Sequence, residues 1–376
     1  MQAVVGRRVA ALGVLGVTAM VAGGCASTGT PEPVLEAPVV LYPPPPQTPR
    51  VQFLTAISDS KDVEEPRSPS FWQRLSGEQE QEDAVTSIVR PYGIAIHDGV
   101  LYVCDTDVAG IDVIDLRART FDHWLPSGFG QLRKPINCTV DPESGRLFVA
   151  DVERGDVSVF GPDHSFVAAF GAVEGSRPTD VAVLDGRAWI ADLENREVRV
   201  YDVASLEQVG TLPHADADST GRLLGPTNLW VTKEHVYVSD FGASQVKVYS
   251  HDGRFVRAVG SYGDGVGQFA RPKGIAVDRE GVLYAVDAAF ENVQLFNAED
   301  QLLMPIGGPY RGPGDLWLPA QVTIDYDNVN YFQHYVHESL EAEYLILVTS
   351  QFGPDKINIY ARVHPKADAG ASGETP

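Results

Sequence analysis

Short apolar runs recur along the middle of the chain, and each run follows a proline. The six runs begin at Pro91, Pro135, Pro178, Pro226, Pro272 and Pro319. Successive prolines are 43 to 48 residues apart, and further stretches of four to six residues follow each run. Within a stretch, β-branched or aromatic residues alternate with others, and Gly, Asp or Pro separates one stretch from the next. This alternation predicts short β-strands separated by turns.

Four short strands in a unit of about 45 residues are typical of one blade of a β-propeller. The chain is therefore predicted to be all-β, a six-bladed β-propeller of four-stranded antiparallel blades. The sixth unit has no fourth strand of its own, whereas an apolar stretch at 51–57 has no neighbouring partner. We expect this N-terminal strand to close the ring, which removes exposed sheet edges. The alternative is a stray strand packed outside the ring.

The domain boundaries follow from this assignment. The propeller is predicted to cover 50–363, with the closing strand at 50–58 and a connector at 59–89 that leads to blade one. Residues 364–376 are rich in Ala, Gly and Ser, and we expect them to form a disordered tail.

Three features of the stretch 260–287 suggest a family. They are a glycine-rich loop at 260–269, a proline before the inner strand (Pro272) and an aspartate after the second strand (Asp287). These features resemble the NHL-repeat family of propellers, and the resemblance covers residues 90–362. It implies the fold and leaves the activity open, because propellers serve as binding modules, scaffolds and enzymes.

The N-terminus is typical of an exported protein. Residues 1–24 contain Arg7 and Arg8 and then 14 apolar residues at 9–22, which are too few for a relaxed bilayer span. Cys25 follows them and completes the run Ala-Gly-Gly-Cys, which resembles the lipobox of bacterial lipoproteins. The resemblance implies lipidation of Cys25 and an anchor in the cell envelope, at the outer membrane and facing the periplasm or the surface. The alternative is an ordinary cleaved signal peptide.

A tether is predicted to follow the lipidated cysteine. Residues 25–49 include eight prolines, so we expect an extended spacer that packs no core.

The composition and net charge limit the kinds of partner that the protein can bind. Hydrophobic residues make up 44% of the 376 residues, and the net charge is −22, which becomes −24 once residues 1–24 are removed. Such an acidic chain is unsuited to nucleic acid or to adsorption on anionic lipid. We therefore expect membrane contact only through the lipid anchor.

Cys104 and Cys138 lie in adjacent blades, either as buried thiols or as a disulfide.

Candidate binding residues are expected on one face of the ring. The top face is defined as the end formed by the loops that lead into the inner strands and by the turns after the second strands. The residue before the proline is cationic in four blades, which suits a small anionic ligand or an acidic partner. These cations are Arg90, Lys134, Arg177 and Arg271. Pairing with neighbouring aspartates is the alternative.

Three further residues are candidates for the top face. Tyr92 and Lys273 directly follow their prolines. Trp230 replaces a small residue that the other blades share, and it either stacks on a ligand or fills a gap.

Two polar columns complete the candidate site. An aspartate follows the second strand in five blades, and we expect it to accept turn N–H groups. Asn137, Asp180 and Asn228 lie two residues after their prolines, where their oxygens would suit Ca²⁺ as a cofactor. A comparable Asp/Asn set in gluconolactonase-like propellers implies a metal-assisted hydrolase; water-bridged polar residues are the alternative.

Blade six departs from the repeat. An insertion at 325–344 separates its first and second strands, and 331–343 are expected to form a helix on the bottom face, opposite the top. His334, His337, Glu338 and Glu341 would then share one helix side, where docking is favoured over metal binding. The predicted function is a binding or scaffolding module for envelope proteins or a small ligand, with no assigned catalytic residue. The alternative is a Ca²⁺-assisted lactonase-like or other hydrolase.

Overall fold

The structure is a computed structural model that describes residues 39–65, 85–215 and 217–366. The predicted signal peptide, Cys25, most of the tether, the middle of the connector and all but the first residues of the predicted tail lie outside the described residues.

The first three blades follow the predicted repeat closely. Two strands precede them, β1 (Leu41–Tyr42) and β2 (Val51–Ile57). Blade one contains β3 (Pro91–His97), β4 (Val100–Asp105), β5 (Gly110–Asp115) and β6 (Thr120–Trp124). Blade two contains β7 (Pro135–Val140), β8 (Leu147–Asp151), β9 (Asp156–Phe160) and β10 (Phe166–Phe170). Blade three contains β11 (Pro178–Leu184), β12 (Arg187–Asp192), β13 (Glu197–Asp202) and β14 (Gln208–Leu212).

The last three blades complete the ring. Blade four contains β15 (Pro226–Val231), β16 (Val236–Asp240), β17 (Gln245–Tyr249) and β18 (Phe255–Val259). Blade five contains β19 (Pro272–Val277), β20 (Leu283–Asp287), β21 (Asn292–Phe296) and β22 (Leu302–Gly307). Blade six contributes β23 (Pro319–Asp325), β24 (Leu340–Ser350) and β25 (Ile357–Pro365). The prediction of an all-β, six-bladed propeller is confirmed.

Strand register defines the two faces of the ring. In blade one, Pro91 pairs with Asp105, so the beginning of the inner strand and the end of the second strand lie at the same end of the sheet. Blades two to five repeat this proline–aspartate pairing. The loops into the inner strands and the turns after the second strands therefore share the top face, as expected.

The N-terminal strand closes the ring. Strand β2 pairs antiparallel with β25 and supplies the fourth strand of blade six, which confirms the prediction. Strand β1 then adds a fifth strand, with Leu41 opposite Gln52. The prediction of a tether through residue 49 is wrong at this point. Leu41 and Tyr42 pack against the apolar clusters of blade six, and the Tyr42 hydroxyl donates to the Gly314 carbonyl at 2.8 Å.

The insertion in blade six lies on the bottom face, where the Asn328 side chain accepts the Gly99 N–H at 2.8 Å. The predicted helix is wrong. Two 3-10 turns, Val329–Tyr331 and Gln333–Tyr335, are followed directly by β24. The backbone groups at 340–344 instead pair with the end of β25, and this ladder replaces helical hydrogen bonds. His334, His337, Glu338 and Glu341 therefore share no helix face.

Apolar clusters between neighbouring blades form the core. One of them joins blades one and two through Cys104, Ile111, Leu147 and Val149. Within 39–65, 85–215 and 217–366, no helix has the length and hydropathy needed to cross a bilayer.

Candidate functional site

The aspartates after the second strands hold the top face together. Asp105 accepts the N–H groups of Val89 and Arg90 at 2.7 and 3.1 Å, and those of Asp107 and Val108 at 3.0 and 3.1 Å. Asp151, Asp192, Asp240 and Asp287 likewise accept N–H groups from the loops before their prolines. The predicted structural role is confirmed, because each carboxylate ties the loop into the inner strand to its own blade.

Two of these aspartates also form buried ion pairs. The Arg199 guanidinium lies 2.8 Å from Asp192, and the Lys247 ammonium lies 2.9 Å from Asp240. Both cations occupy the third position of the third strand, where blade one has Asp112. Burial and the nearby Asp105 carboxylate raise the pKa of Asp112 to about 7, while His123 at 2.5 Å opposes the rise.

The cations before the prolines do not pair with these aspartates through their side chains. Arg90 lies 3.3 Å from Asp107, in the turn that follows, and Lys134 lies 4.0 Å from Glu153 in the equivalent turn. The Arg177 and Arg271 side chains are exposed and form no ion pair with a residue that the structure describes. The alternative of pairing with the column of aspartates after the second strands is therefore wrong: backbone N–H groups, together with Arg199 and Lys247 in blades three and four, take up those carboxylates.

Tyr92 and Lys273 meet at the top of the channel, although they belong to blades one and five. Blade six lies between them and has the small, buried Ala320 at the same position. The Lys273 ammonium lies 4.6 Å from the centre of the Tyr92 ring, a cation–π contact. Burial and the neighbouring Arg271 lower the pKa of Lys273 to about 8. Both residues were predicted to lie on the top face, but their contact was not predicted.

The next layer of side chains fills the channel. Asn137, Asp180 and Asn228 are all buried, and Asn228 donates to the side chain of Gln321 at 3.4 Å. Gly93 occupies the same column in blade one, and a Cβ added there would lie 2.1 Å from Asn137 Oδ1. Polar side chains thus occupy the space that the glycine leaves, in agreement with the interpretation of a polar channel mouth.

The protein already engages three of the four side-chain oxygens of Asn137, Asp180 and Asn228, and only Asn228 Oδ1 has no hydrogen-bond partner among the described residues. Both carboxylate oxygens of Asp180 already accept backbone N–H groups, from Val181 at 2.7 Å and from Leu229 at 2.9 Å. Asn137 Oδ1 accepts the Cys138 N–H at 3.0 Å. Burial raises the pKa of Asp180 to about 7, while the hydrogen bonds from Leu229 and Val181 oppose the rise. Across the described ranges, no cluster of three or more His, Cys, Asp or Glu residues is arranged to hold a metal.

Trp230 does not reach the top face. It is the fifth of the six residues of β15, so it lies roughly 13 Å along the strand from Pro226 at about 3.3 Å per residue. Its side chain packs against apolar clusters that include Ala276, Ile275 and Tyr284. The structure agrees with the gap-filling interpretation, because the bulky indole replaces the smaller side chains of the other blades.

Exposed apolar side chains on the top face escaped the sequence analysis. Among the residues that the structure describes, three large hydrophobic residues are at least three-quarters exposed: Phe129 at 88%, Tyr262 at 77% and Val266 at 89%. All three lie in loops that lead into inner strands. Trp317 and Phe352 are also exposed on this face. A signal for them was present in the sequence: large apolar residues stand in loops, where Gly, Pro and polar residues would be sufficient for the turn.

Cys104 and Cys138 are free thiols and both are buried. Burial and the neighbouring Cys138 thiol raise the pKa of Cys104. The structure therefore agrees with buried thiols rather than with the disulfide alternative.

Comparisons with known proteins agree with this fold. A family model described as a 6-bladed beta-propeller matches residues 221–363. Among solved structures, 1177 chains match. A structural genomics protein of unknown function from Bacteroides thetaiotaomicron has 17% identity and a TM-score of 0.55, over 84% of this chain and 76% of its own. None of the curated proteins matches the chain.

A catalytically inactive virginiamycin B lyase from Staphylococcus aureus, solved with quinupristin, is also similar. It has 12% identity and a TM-score of 0.50, over 73% of this chain and 95% of its own. At such identities the likeness concerns the fold alone, since one propeller architecture supports unrelated activities.

Proposed function

We propose that the protein is a cell-envelope lipoprotein with an NHL-like propeller, and that its top face is a binding or scaffolding module for another envelope protein. The observation that carries this proposal is that the three most exposed large hydrophobic residues of the described ranges, Phe129, Tyr262 and Val266, all lie in loops of that one face. Phe129 lies in the loop before β7 and the other two lie in the loop before β19, so they mark two places on this face that a protein partner would cover. Exposed Arg177 and Arg271 lie on the same face of an otherwise acidic chain.

The filled channel supports a surface site rather than a deep one. The polar side chains in the channel are buried: Asn137, Asp180 and Asn228. Asn137 accepts the N–H of Cys138, and Asp180 accepts the N–H of Leu229. A ligand therefore has little access to this layer. A partner would therefore meet the rim loops and the residues above this layer, Tyr92 and Lys273 among them.

Selective loss of binding tests the module. The chain from Ala26, without lipid, is immobilised and used to capture proteins from an envelope extract of its own host. The variant Phe129→Ser/Val266→Ser changes the top face, and Val167→Ser/Val209→Ser is the matched control, because these valines are 46% and 56% exposed on outer strands. We expect a partner that the wild type and the control retain and that the top-face variant loses. Equal capture by all three proteins contradicts the proposal.

The anchor needs a separate test. Cys25→Ser removes the thiol that would carry the lipid, so this variant should leave the membrane fraction while the wild-type protein remains in it. Fractionation followed by mass measurement of the N-terminal peptide reads this out. Retention of Cys25→Ser in the membrane contradicts lipid anchoring.

A further inference from the structure

We infer that the blade-six sector of the top face binds an acidic peptide segment of the partner, with a carboxylate against Lys273 and Arg271 and an apolar side chain on Trp317 and Phe352. The inference rests on the proposed binding function and names the chemistry of its partner. The blade-six sector is defined as Arg90, Lys273, Arg271 and the aromatic residues Tyr310, Trp317 and Phe352.

The sector is one continuous part of the face. Strand β23 of blade six lies between the inner strands of blades one and five. The Thr349 hydroxyl, at the end of β24, donates to the carbonyl of Tyr92 at 2.6 Å. The Gln351 N–H donates to the carbonyl of Leu318, directly before β23, at 3.2 Å. The turn that carries Phe352 is therefore fixed beside the channel mouth.

The aromatic side chains form an exposed platform. Tyr310 stacks on Trp317 with 6.1 Å between ring centres and 25° between planes. The Phe352 N–H donates to the Trp317 carbonyl at 3.4 Å, which places the two residues side by side. Trp317 is 46% exposed and Phe352 is 41% exposed. Partly exposed aromatic residues supply large contact area at a small cost in conformational entropy.

Two of the three cations of the sector, Lys273 and Arg271, lack an acidic partner among the described residues, whereas Arg90 pairs with Asp107 at 3.3 Å. Lys273 contacts the Tyr92 ring, and neither Lys273 nor Arg271 forms an ion pair with any residue inside the described ranges. Their mutual repulsion and the burial of Lys273 make the charged state costly, as its lowered pKa shows. A carboxylate placed between them would compensate both charges.

Four acidic side chains near this sector already have partners, and one of them, Asp355, interacts with the hydroxyl of Tyr310. Asp107 pairs with Arg90 at 3.3 Å, Asp315 accepts the Arg311 N–H at 3.1 Å, and Glu291 accepts the Leu318 N–H at 3.1 Å. Each of these carboxylates has a donor in the protein, whereas the ammonium of Lys273 has no acidic partner among the described residues. Charge complementarity therefore favours an acidic segment over a basic or neutral one.

A random seven-residue peptide library tests this inference against the chain that begins at Ala26. One arm presents peptides with a free C-terminal carboxylate, and the other presents the same peptides internally, so that terminal and side-chain carboxylates are distinguished. We expect enrichment of peptides in which Asp, Glu or the terminal carboxylate lies next to an aromatic or large aliphatic residue. Enrichment of peptides without such a carboxylate, or no enrichment in either arm, overturns the inference.

Affinities of an enriched peptide then locate the site. Lys273→Met should weaken binding about tenfold or more, because it removes a partly buried charge partner. Trp317→Ser should also weaken binding, and Lys134→Met, on blade two, should change it less than twofold. Lys273→Met removes an uncompensated cation and should not lower the melting temperature, which separates lost binding from misfolding. Unchanged affinity in Lys273→Met overturns the inference.

Two further outcomes separate the alternatives. Competition by inorganic phosphate alone at peptide-like affinity indicates a small-anion site and overturns the peptide assignment. If the partner captured from envelope extract is lost with Phe129→Ser/Val266→Ser but retained with Lys273→Met, the proposed function stands and this inference fails.

Discussion

The guanidinium of Arg199 lies 2.8 Å from the carboxylate of Asp192, and both side chains are at most 1% exposed. Arg199 also donates to the Gly171 carbonyl and to the Ser176 hydroxyl, both at 2.7 Å. It therefore joins the third strand of blade three to the loop before the inner strand. Because both charges are buried, removal of the guanidinium should lower the free energy of unfolding more than removal of one partner of an exposed ion pair would.

Arg199→Met should lower the free energy of unfolding by about 3–5 kcal/mol, since the substitution leaves the Asp192 carboxylate buried without its cation. Urea unfolding measures the change. The control is Arg177→Met in the same blade: its exposed side chain has no ion pair with a described residue, so we expect a change within about 0.5 kcal/mol. A loss below about 1 kcal/mol for Arg199→Met contradicts the structural role argued above.

Gly93→Ala should destabilise the ring at the channel. The added Cβ would lie 2.1 Å from Asn137 Oδ1 and 2.4 Å from Asn137 Cα, so the backbones of blades one and two must move apart. We expect a loss of about 2–3 kcal/mol, as for other overpacked sites. Gly312→Ala is the control, because an added Cβ there meets nothing within 4 Å. Equal melting temperatures for the two variants would show that the blades can separate freely.

Removal of the closing strand should open the ring. A chain that begins at Asp59 lacks β1 and β2, loses the buried Val51, Leu54 and Ile57, and exposes the edge of β25. Each lost apolar side chain contributes roughly 1.5–3 kcal/mol, and an exposed edge invites association. We expect the melting temperature to fall by about 10 °C or more, or the chain to aggregate.

The matched control begins at Val39, where the described part of the chain starts, and retains both strands. Calorimetry and light scattering compare the two chains. A monomeric chain from Asp59 that melts with the control would mean that the ring is stable without its fourth strand in blade six.

Sequence alone was sufficient for the repeating architecture. The proline at the start of each inner strand and the aspartate at the end of the second strand in blades one to five recur because they pair locally, as Pro91 does with Asp105. Strand alternation and turn residues are local signals, so they can be read from the sequence without knowing which segments pack together. The closing role of 51–57 followed from counting strands, since a ring leaves no edge unpaired.

The remaining features depend on contacts between distant segments. Tyr92 and Lys273 meet because Ala320 in a third blade leaves room, and no single repeat contains that information. The 340–344 segment carries helix-compatible residues, yet it pairs with β25 because a partner edge is available there. Likewise, Leu41 and Tyr42 form a strand inside a proline-rich stretch because β2 offers its open edge.

Asp180 should make stability fall as pH rises between about 4 and 7. Burial raises the pKa of Asp180 to about 7 in the folded protein, against 3.8 for the ordinary side chain. In that window the folded state keeps a proton that the unfolded state releases, so the stabilisation is complete below pH 4 and lost as pH passes 7. A shift of about 3 pKa units corresponds to about 4 kcal/mol as an upper limit.

Asp180→Asn removes the titrating group but keeps its shape, since two other blades have Asn in this column. The difference in the free energy of unfolding between the variant and the wild type should therefore shift by roughly 2–4 kcal/mol in favour of the variant from pH 4.5 to 7.5. This shift does not depend on any pH-independent effect of the substitution, and urea unfolding at several pH values measures it. Asp163→Asn is the control: hydrogen bonds from Ser165 lower the pKa of this exposed carboxyl, so its effect appears on acidification below pH 4. Parallel stability curves for wild type and Asp180→Asn from pH 4.5 to 7.5 would show that Asp180 ionises normally in the folded ring.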